Sequence, residues 1–195
     1  LLTVWQNASS VYSGRFTGAG ALAKGGSGTL TLTGANTATG GLTVIAGTVD
    51  TTGGGTLADT GAITIQSGAT FIAGTADTVG AVSNAGNYLV NTAQTVASLG
   101  NAGSGTTRLN ADLTATGPVG NAGRIVVSGA RQVTTTGLTG GSSGQITLAN
   151  ASDALALNQS GNSTYSGQLS GAGSVTKSGD GTLTLNKPGG FDVTS

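Results

Sequence analysis

The stretch YSGRFTGAGALAKGGSGTLTL, beginning at Tyr12, returns as YSGQLSGAGSVTKSGDGTLTL, beginning at Tyr165. The two belong to one ungapped alignment at a shift of 153 positions, which places Leu2 on Leu155, Gln6 on Gln159, Ser10 on Ser163 and Gly34 on Lys187. Tyr, Ser, five glycines, Lys and the whole TLTL segment are kept. A chain that spells one supersecondary unit twice and keeps a rhythm between the copies builds by stacking, each unit covering the next.

The rhythm continues through the middle. Short β-prone runs recur at Ala62 to Gln66, Asn87 to Asn91, Thr106 to Asn110, Arg124 to Ser128 and Gln145 to Ala149, about twenty residues apart after the first gap. Three are preceded by one tripeptide, at Asn84-Ala85-Gly86, Asn101-Ala102-Gly103 and Asn121-Ala122-Gly123. The expectation is one turn reused on successive coils, with Gly supplying positive φ and Asn tolerating left-handed geometry. Thr/Leu alternation gives a half-buried strand with Leu30 and Leu32 inward and Thr29, Thr31 and Thr33 outward.

No long apolar stripe of helical period exists, and glycine interrupts nearly every ten residues, so helices are disfavoured. An immunoglobulin-like sandwich has no reason to repeat a turn tripeptide at near-constant spacing. A right-handed parallel β-helix does, because equivalent turns sit above one another at about 4.8 Å and tolerate only small residues. Charge at 7% and two prolines argue against a disordered low-complexity chain. The fold class read from the sequence is therefore all-β: a right-handed parallel β-helix of about nine coils, roughly 40 Å long.

Seven Asp balance seven Lys and Arg, and no aromatic residues are interleaved with the basic ones, which excludes nucleic acid as a partner. The absence of Cys excludes a disulfide framework and thiolate zinc sites. No apolar stretch approaches the ~20 residues of a spanning helix, and no signal-peptide pattern opens the chain. The chain starts at Leu1 and reads as a piece of a longer protein.

Residues Gly18 to Val49 closely resemble the passenger-associated transport repeat of autotransporters, the type V secreted proteins of Gram-negative bacteria. Its pattern is matched by Gly18, Gly20, Leu22, Lys24, Gly26, Gly28, Thr29, Leu30, Leu32, Gly34, Asn36, Gly40, Val44 and Gly47. The chain departs from it at Ala38, where an aromatic residue is common, and at Val49, where Leu is usual. The second copy matches through Leu185, after which NKPGGFDVTS replaces the expected segment. The resemblance implies a rigid β-helical stem, exported through the outer-membrane translocator barrel of the same parent chain and folded outside the cell, at the bacterial surface or secreted. Residues 1–195 are expected to form a single β-helical segment of a longer passenger, with repeat copies at 12–49 and 165–187 and degenerate coils between.

Two rival functions follow from the same fold. An adhesin would use a polar Thr/Ser/Asn face to bind glycan, host or bacterial surfaces, or another copy by self-association. A polysaccharide-active enzyme would need paired carboxylates, or a carboxylate-bound calcium with a basic residue. The chain has no Glu or His, but eighteen residues is about one coil, so Asp59 and Asp77 can stack; the expectation is two solvent-exposed turn aspartates. Asp180 lies in a calcium-nonapeptide-like spelling, yet its counterpart in the first copy is Ser27, which rejects that motif. Gly18-Ala19-Gly20 is not a nucleotide loop, because no helix follows. Lys24 and Lys177 read as solvated turn residues that discourage edge pairing. Tyr12 and Tyr165 read as packing beside the repeat, and the sequons at Asn7, Asn150, Asn158 and Asn162 carry little weight in a bacterial product. The expectation is a structural segment, not an enzyme, with no catalytic, cofactor or metal site.

Overall fold

The computed structural model describes residues 1–187 and the backbone of the strand Asp192–Val193. Within them every regular element is a strand and the strand pairings are parallel, giving a β-solenoid of about nine turns. The chain visits three faces in turn, as Val82–Asn84, Asn87–Val90 and Gln94–Val96, before Leu99–Asn101 returns to the first. The first face carries eight strands, from Leu2–Trp5 to Leu138–Thr139. It continues through a bridge between Gly140 and Tyr165 into the pair Ser163–Tyr165 and Leu183–Leu185. Ten strands make the second face, from Ser10–Tyr12 to Asp192–Val193, and six the third, from Asp77–Val79 to Ser174–Ser178.

Period-two alternation decides what points inward. Leu30 and Leu32 are buried while Thr29 and Thr31 are half-buried, as the alternation predicts. Register then stacks like on like: Leu30, Val49, Phe71 and Tyr88 form one inward column on the second face, with the rings of Phe71 and Tyr88 stacked at 5.8 Å. Each fully enclosed aliphatic side chain contributes roughly 1.5–3 kcal/mol, so the stability of a coil comes from its neighbours rather than from itself. The runs from Asn87, Thr106, Arg124 and Gln145 are consecutive strands of the second face. The run at Ala62 to Gln66 lies instead on the first face, and the second-face strand of that coil is Thr70–Ala73, which the twenty-residue rhythm passes over.

The reading of the Asn-Ala-Gly tripeptide needs correction. Asn84, Asn101 and Asn121 are in register with one another, but each closes a strand with its side chain buried. Gly86, Gly103 and Gly123 are not among the positive-φ glycines. The glycines that do adopt left-handed backbone include the corner residues of the repeat, Gly26 (φ +76°) and its counterpart Gly179 (φ +79°). At other corners the demand is proximity: one residue before six of the second-face strands, Gly28, Gly86, Gly105, Gly123, Gly144 and Gly167 sit so close to the preceding coil that a Cβ would overlap its carbonyl oxygens. Asn-Ala-Gly thus marks a buried polar side chain and, twice of three times, a point of close approach.

The two sequence copies do not occupy the same faces. Leu22–Gly25 and Thr29–Leu32 turn the corner between the first and second faces. Ser174–Ser178 and Leu183–Leu185 turn the corner between the third face and the continuation of the first. One strand–corner–strand unit is therefore used at two different corners of the prism.

Candidate functional site

The inner lining of the corners is where this chain places its unusual side chains. Lys24 lies on Leu22–Gly25 between Val4 and Val44 of the adjacent coils and is 0% exposed. Its Nζ donates to the Gly26 carbonyl at 2.8 Å and to the Ala46 carbonyl of the next coil at 3.0 Å. Burial pushes its pKa below the usual lysine value. The expected solvated turn residue is instead an internal clasp, because the side chain is long enough to reach carbonyls that the corner leaves without partners. Lys177 is exposed and donates to the Gly179 carbonyl at 2.7 Å, the same local contact.

The column that contains Lys24 changes character along the solenoid, from Val44 and Ile65 to Asn84, Asn101 and Asn121. These asparagines form a ladder. Asn84 Nδ2 donates to Asn101 Oδ1 at 2.9 Å, Asn101 Nδ2 to Asn121 Oδ1 at 2.8 Å, and Asn121 Nδ2 to the Tyr165 hydroxyl at 3.2 Å. Each also donates to a carbonyl of the following coil, those of Thr106, Arg124 and Gln145. Gly140 completes the column without a side chain, and the ring of Tyr165, 0% exposed, fills that position. Burial raises the Tyr165 pKa, partly offset by the Asn121 hydrogen bond. Tyr165 is thus packing, as expected, while Tyr12 stacks on Phe16 at 4.4 Å and stays partly exposed. The signal for the ladder was in the sequence: the same polar residue recurs where other coils carry Val or Ile.

The stacking of Asp59 and Asp77 is realised in part. Both line a shallow, open groove across the third face together with Asp112, Thr78, Gln94 and Thr95. Asp59 is exposed, as expected, but Asp77 opens a strand and is half-buried. Its Oδ2 accepts from the Leu57 amide at 2.7 Å and its Oδ1 from the Thr78 amide at 3.0 Å. Burial raises its pKa, those hydrogen bonds oppose the rise, and the charge of Asp59 adds to it. Asp112 accepts from the Gln132 amide at 2.9 Å. Asp77 and Asp112 are thus engaged with backbone amides of adjoining coils. Among the described residues no three His, Cys, Asp or Glu side chains are placed to hold a metal ion, and no helix is long and apolar enough to cross a membrane.

Residues 22–50 and 175–190 match the family model of the passenger-associated-transport-repeat. The chain carries autotransporter passenger repeats. Comparisons with curated proteins and with solved structures return no significant match. Residues 188–190 of the second match lie outside the described residues, as do residues 188–191 and 194–195 of the C-terminal segment that departs from the pattern after Leu185. Within the first transport repeat most of the recurring residues serve corners and core: Leu30 and Leu32 are enclosed, Lys24 is clasped inside, Gly26 turns the backbone, and Gly28 and Gly47 admit the neighbouring coil, while Thr29 faces outward. Ala38, where an aromatic residue was expected, lines a small apolar hollow with Phe16, Leu42 and Leu57.

Proposed function

We infer that the chain is a rigid β-helical stem of an autotransporter passenger and that its transport repeats act in export and in folding outside the cell. One observation carries this reading: in the first copy Leu30, Leu32 and Lys24 face inward and Gly26, Gly28 and Gly47 form corners, which is what building coils requires. That the two copies sit at different corners supports it further, since a partner that recognised one outer face would meet them on different sides. Coils stack on nearest neighbours, so they add one at a time, and each coil packed outside opposes backsliding through the pore by the apolar surface it would have to re-expose. The partner implied is the translocator barrel of the parent chain, and the location is the cell surface or the medium.

The adhesin reading is favoured by a separate observation, the in-register outward row of Thr78, Thr95, Thr114 and Thr134 on the third face. Deleting residues 165–187 from the displayed protein separates the two. Surface exposure, scored by protease accessibility on intact cells at matched expression, falls under the stem reading. Exposure that persists while attachment to glycan-coated beads is lost transfers the function to adhesion.

A further inference from the structure

The second face carries its charge unevenly. Six consecutive strands, from Thr70–Ala73 to Gln168–Gly171, contain no acidic residue, and two of them, Thr106–Leu109 and Arg124–Val127, expose Arg108 and Arg124. Register places Arg108 between Leu89 and Val126, and Arg124 between Thr106 and Gln145. The two arginines are therefore diagonal neighbours, one strand over and two residues along, about 8 Å apart at Cα. Arg15 Nε donates to the Ala35 carbonyl at 3.2 Å, whereas among the described residues neither Arg108 nor Arg124 has an acceptor for its guanidinium. Asp50, which precedes them in this outward column by three strands, is already engaged by the Thr52 amide at 2.8 Å and hydroxyl at 2.6 Å. Asp59, Asp77 and Asp112 stand on the third face. Two like charges side by side with no counter-charge oppose each other and leave their donors open.

The surroundings narrow what can answer them. Each of these inner strands is paired on both edges, so a ligand meets side chains alone and β-augmentation has no room. The aromatic rings of these strands, Phe71 and Tyr88, are enclosed, which leaves no platform for a nucleobase. Leu89 and Val126 are aliphatic, outward and half-buried on either side of Arg108, and the exposed amides of Asn91 and Asn110 are joined at 2.9 Å beside them. A uronate ring suits this surface: its planar carboxylate takes two parallel hydrogen bonds from a guanidinium fork, its hydroxyls pair with amides, and its C–H face lies on aliphatic side chains. We propose that Arg108 and Arg124, with Leu89 and Val126, form a binding site for an acidic polysaccharide of the polyuronate class, whose carboxylates are taken by guanidiniums of adjacent coils. The site lies outside both transport repeats and on a different face from the threonine row, so it goes beyond the stem reading and does not depend on it.

The test uses fluorescein-labelled alginate oligomers and the intact chain in calcium-free buffer, with anisotropy as the readout and unlabelled dextran and polyglutamate as competitors. Saturable binding of alginate is expected, weakened roughly tenfold by Arg108→Ala or Arg124→Ala and recovered only in part by lysine at either position. Leu89→Asp, which sets a carboxylate in register with Arg108, abolishes it. Arg131→Ala removes the same charge from another exposed position and leaves binding unchanged. All four side chains point outward, and a circular dichroism spectrum like that of wild type shows that the coils are kept. Dextran, which lacks the carboxylates, does not compete, and polyglutamate, which lacks the rings, competes weakly. Absence of saturable alginate binding overturns the proposal. An equal loss in Arg131→Ala overturns it by reducing the effect to net charge, and polyglutamate competing as well as alginate overturns it by assigning the site to an acidic peptide. Surface display does not enter this measurement, so it can fail while the stem reading stands, and the reverse.

Discussion

At the scale of single residues, Lys24 and Asp153 are buried charges whose pKa values are both lowered in the folded state, so both make stability rise with pH, in different windows. The folded state lowers the Lys24 pKa, so the unfolded chain binds that proton more tightly and stability rises as pH climbs from the lowered value toward 10.5. Lys24→Met removes this dependence and leaves the Gly26 and Ala46 carbonyls without their donor, a loss of about 1–3 kcal/mol in chemical denaturation at neutral pH. A denaturation midpoint whose pH dependence is identical in wild type and variant would remove Lys24 from the account. For Asp153, burial alone would raise the pKa. Hydrogen bonds from the Arg131 and Asn150 amides, at 3.0 and 2.8 Å, and from the Asn150 side chain outweigh burial and lower it. Its contribution is therefore present above 3.8 and lost as pH falls through the lower folded value, so the advantage of wild type over Asp153→Ala shrinks in an acid titration followed by circular dichroism. Tyr88 departs from the usual direction of core mutations. Its hydroxyl is buried without a hydrogen-bond partner, and Tyr88→Phe is expected to raise the melting temperature by the equivalent of about 1 kcal/mol.

At the scale of the element, the corner decides what a strand can follow. Gly123→Ala would push a Cβ into the Ala102 and Gly105 carbonyl oxygens, and backbone on both sides leaves nowhere to move; a cost of about 3 kcal/mol is expected. Gly100→Ala, in a strand whose nearest atom to the added Cβ is 3.9 Å away, is expected to change stability by no more than about 0.5 kcal/mol. Equal effects of the two in urea unfolding would contradict close approach as the reason for the corner glycines. The strands were legible in the sequence because period two is short and local: TLTL shows its buried face within four residues. The corners were not. Neighbouring coils differ in length, with seventeen residues between Val82 and Leu99, twenty-three between Ile146 and Leu169 and twenty-five between Gly140 and Tyr165, so the glycine column falls at uneven intervals. Asn-Ala-Gly was visible as a recurrence, but turn chemistry and a buried ladder call for the same residues, and only register distinguishes them. Lys24 was hidden for a different reason: lysine is ordinarily solvated, and its two carbonyl partners belong to its own corner and to the next coil, 22 residues on.

At the scale of the molecule, the repetition read first in the sequence proves to be repetition of a unit, not of a place. The two copies turn different corners of one prism, which ties the spelling of the repeat to what a corner needs and frees it from any one outer face. The groove that gathers Asp59, Asp77 and Asp112 belongs to the third face, outside both matched segments, so whatever binds there is independent of the transport repeats. The stem reading rests on coil packing, and the most direct measurement sets the inward side of one strand against its outward side. Thr29–Leu32 carries both, with Leu30 and Leu32 enclosed and Thr29 and Thr31 facing out. Leu30→Asp/Leu32→Asp and Thr29→Asp/Thr31→Asp add the same charge to the same strand, and passenger at the cell surface is quantified by protease accessibility at matched expression. The account predicts that the inward pair abolishes display and the outward pair preserves it; equal display from both variants would contradict folding of the coils as the force that moves the chain out.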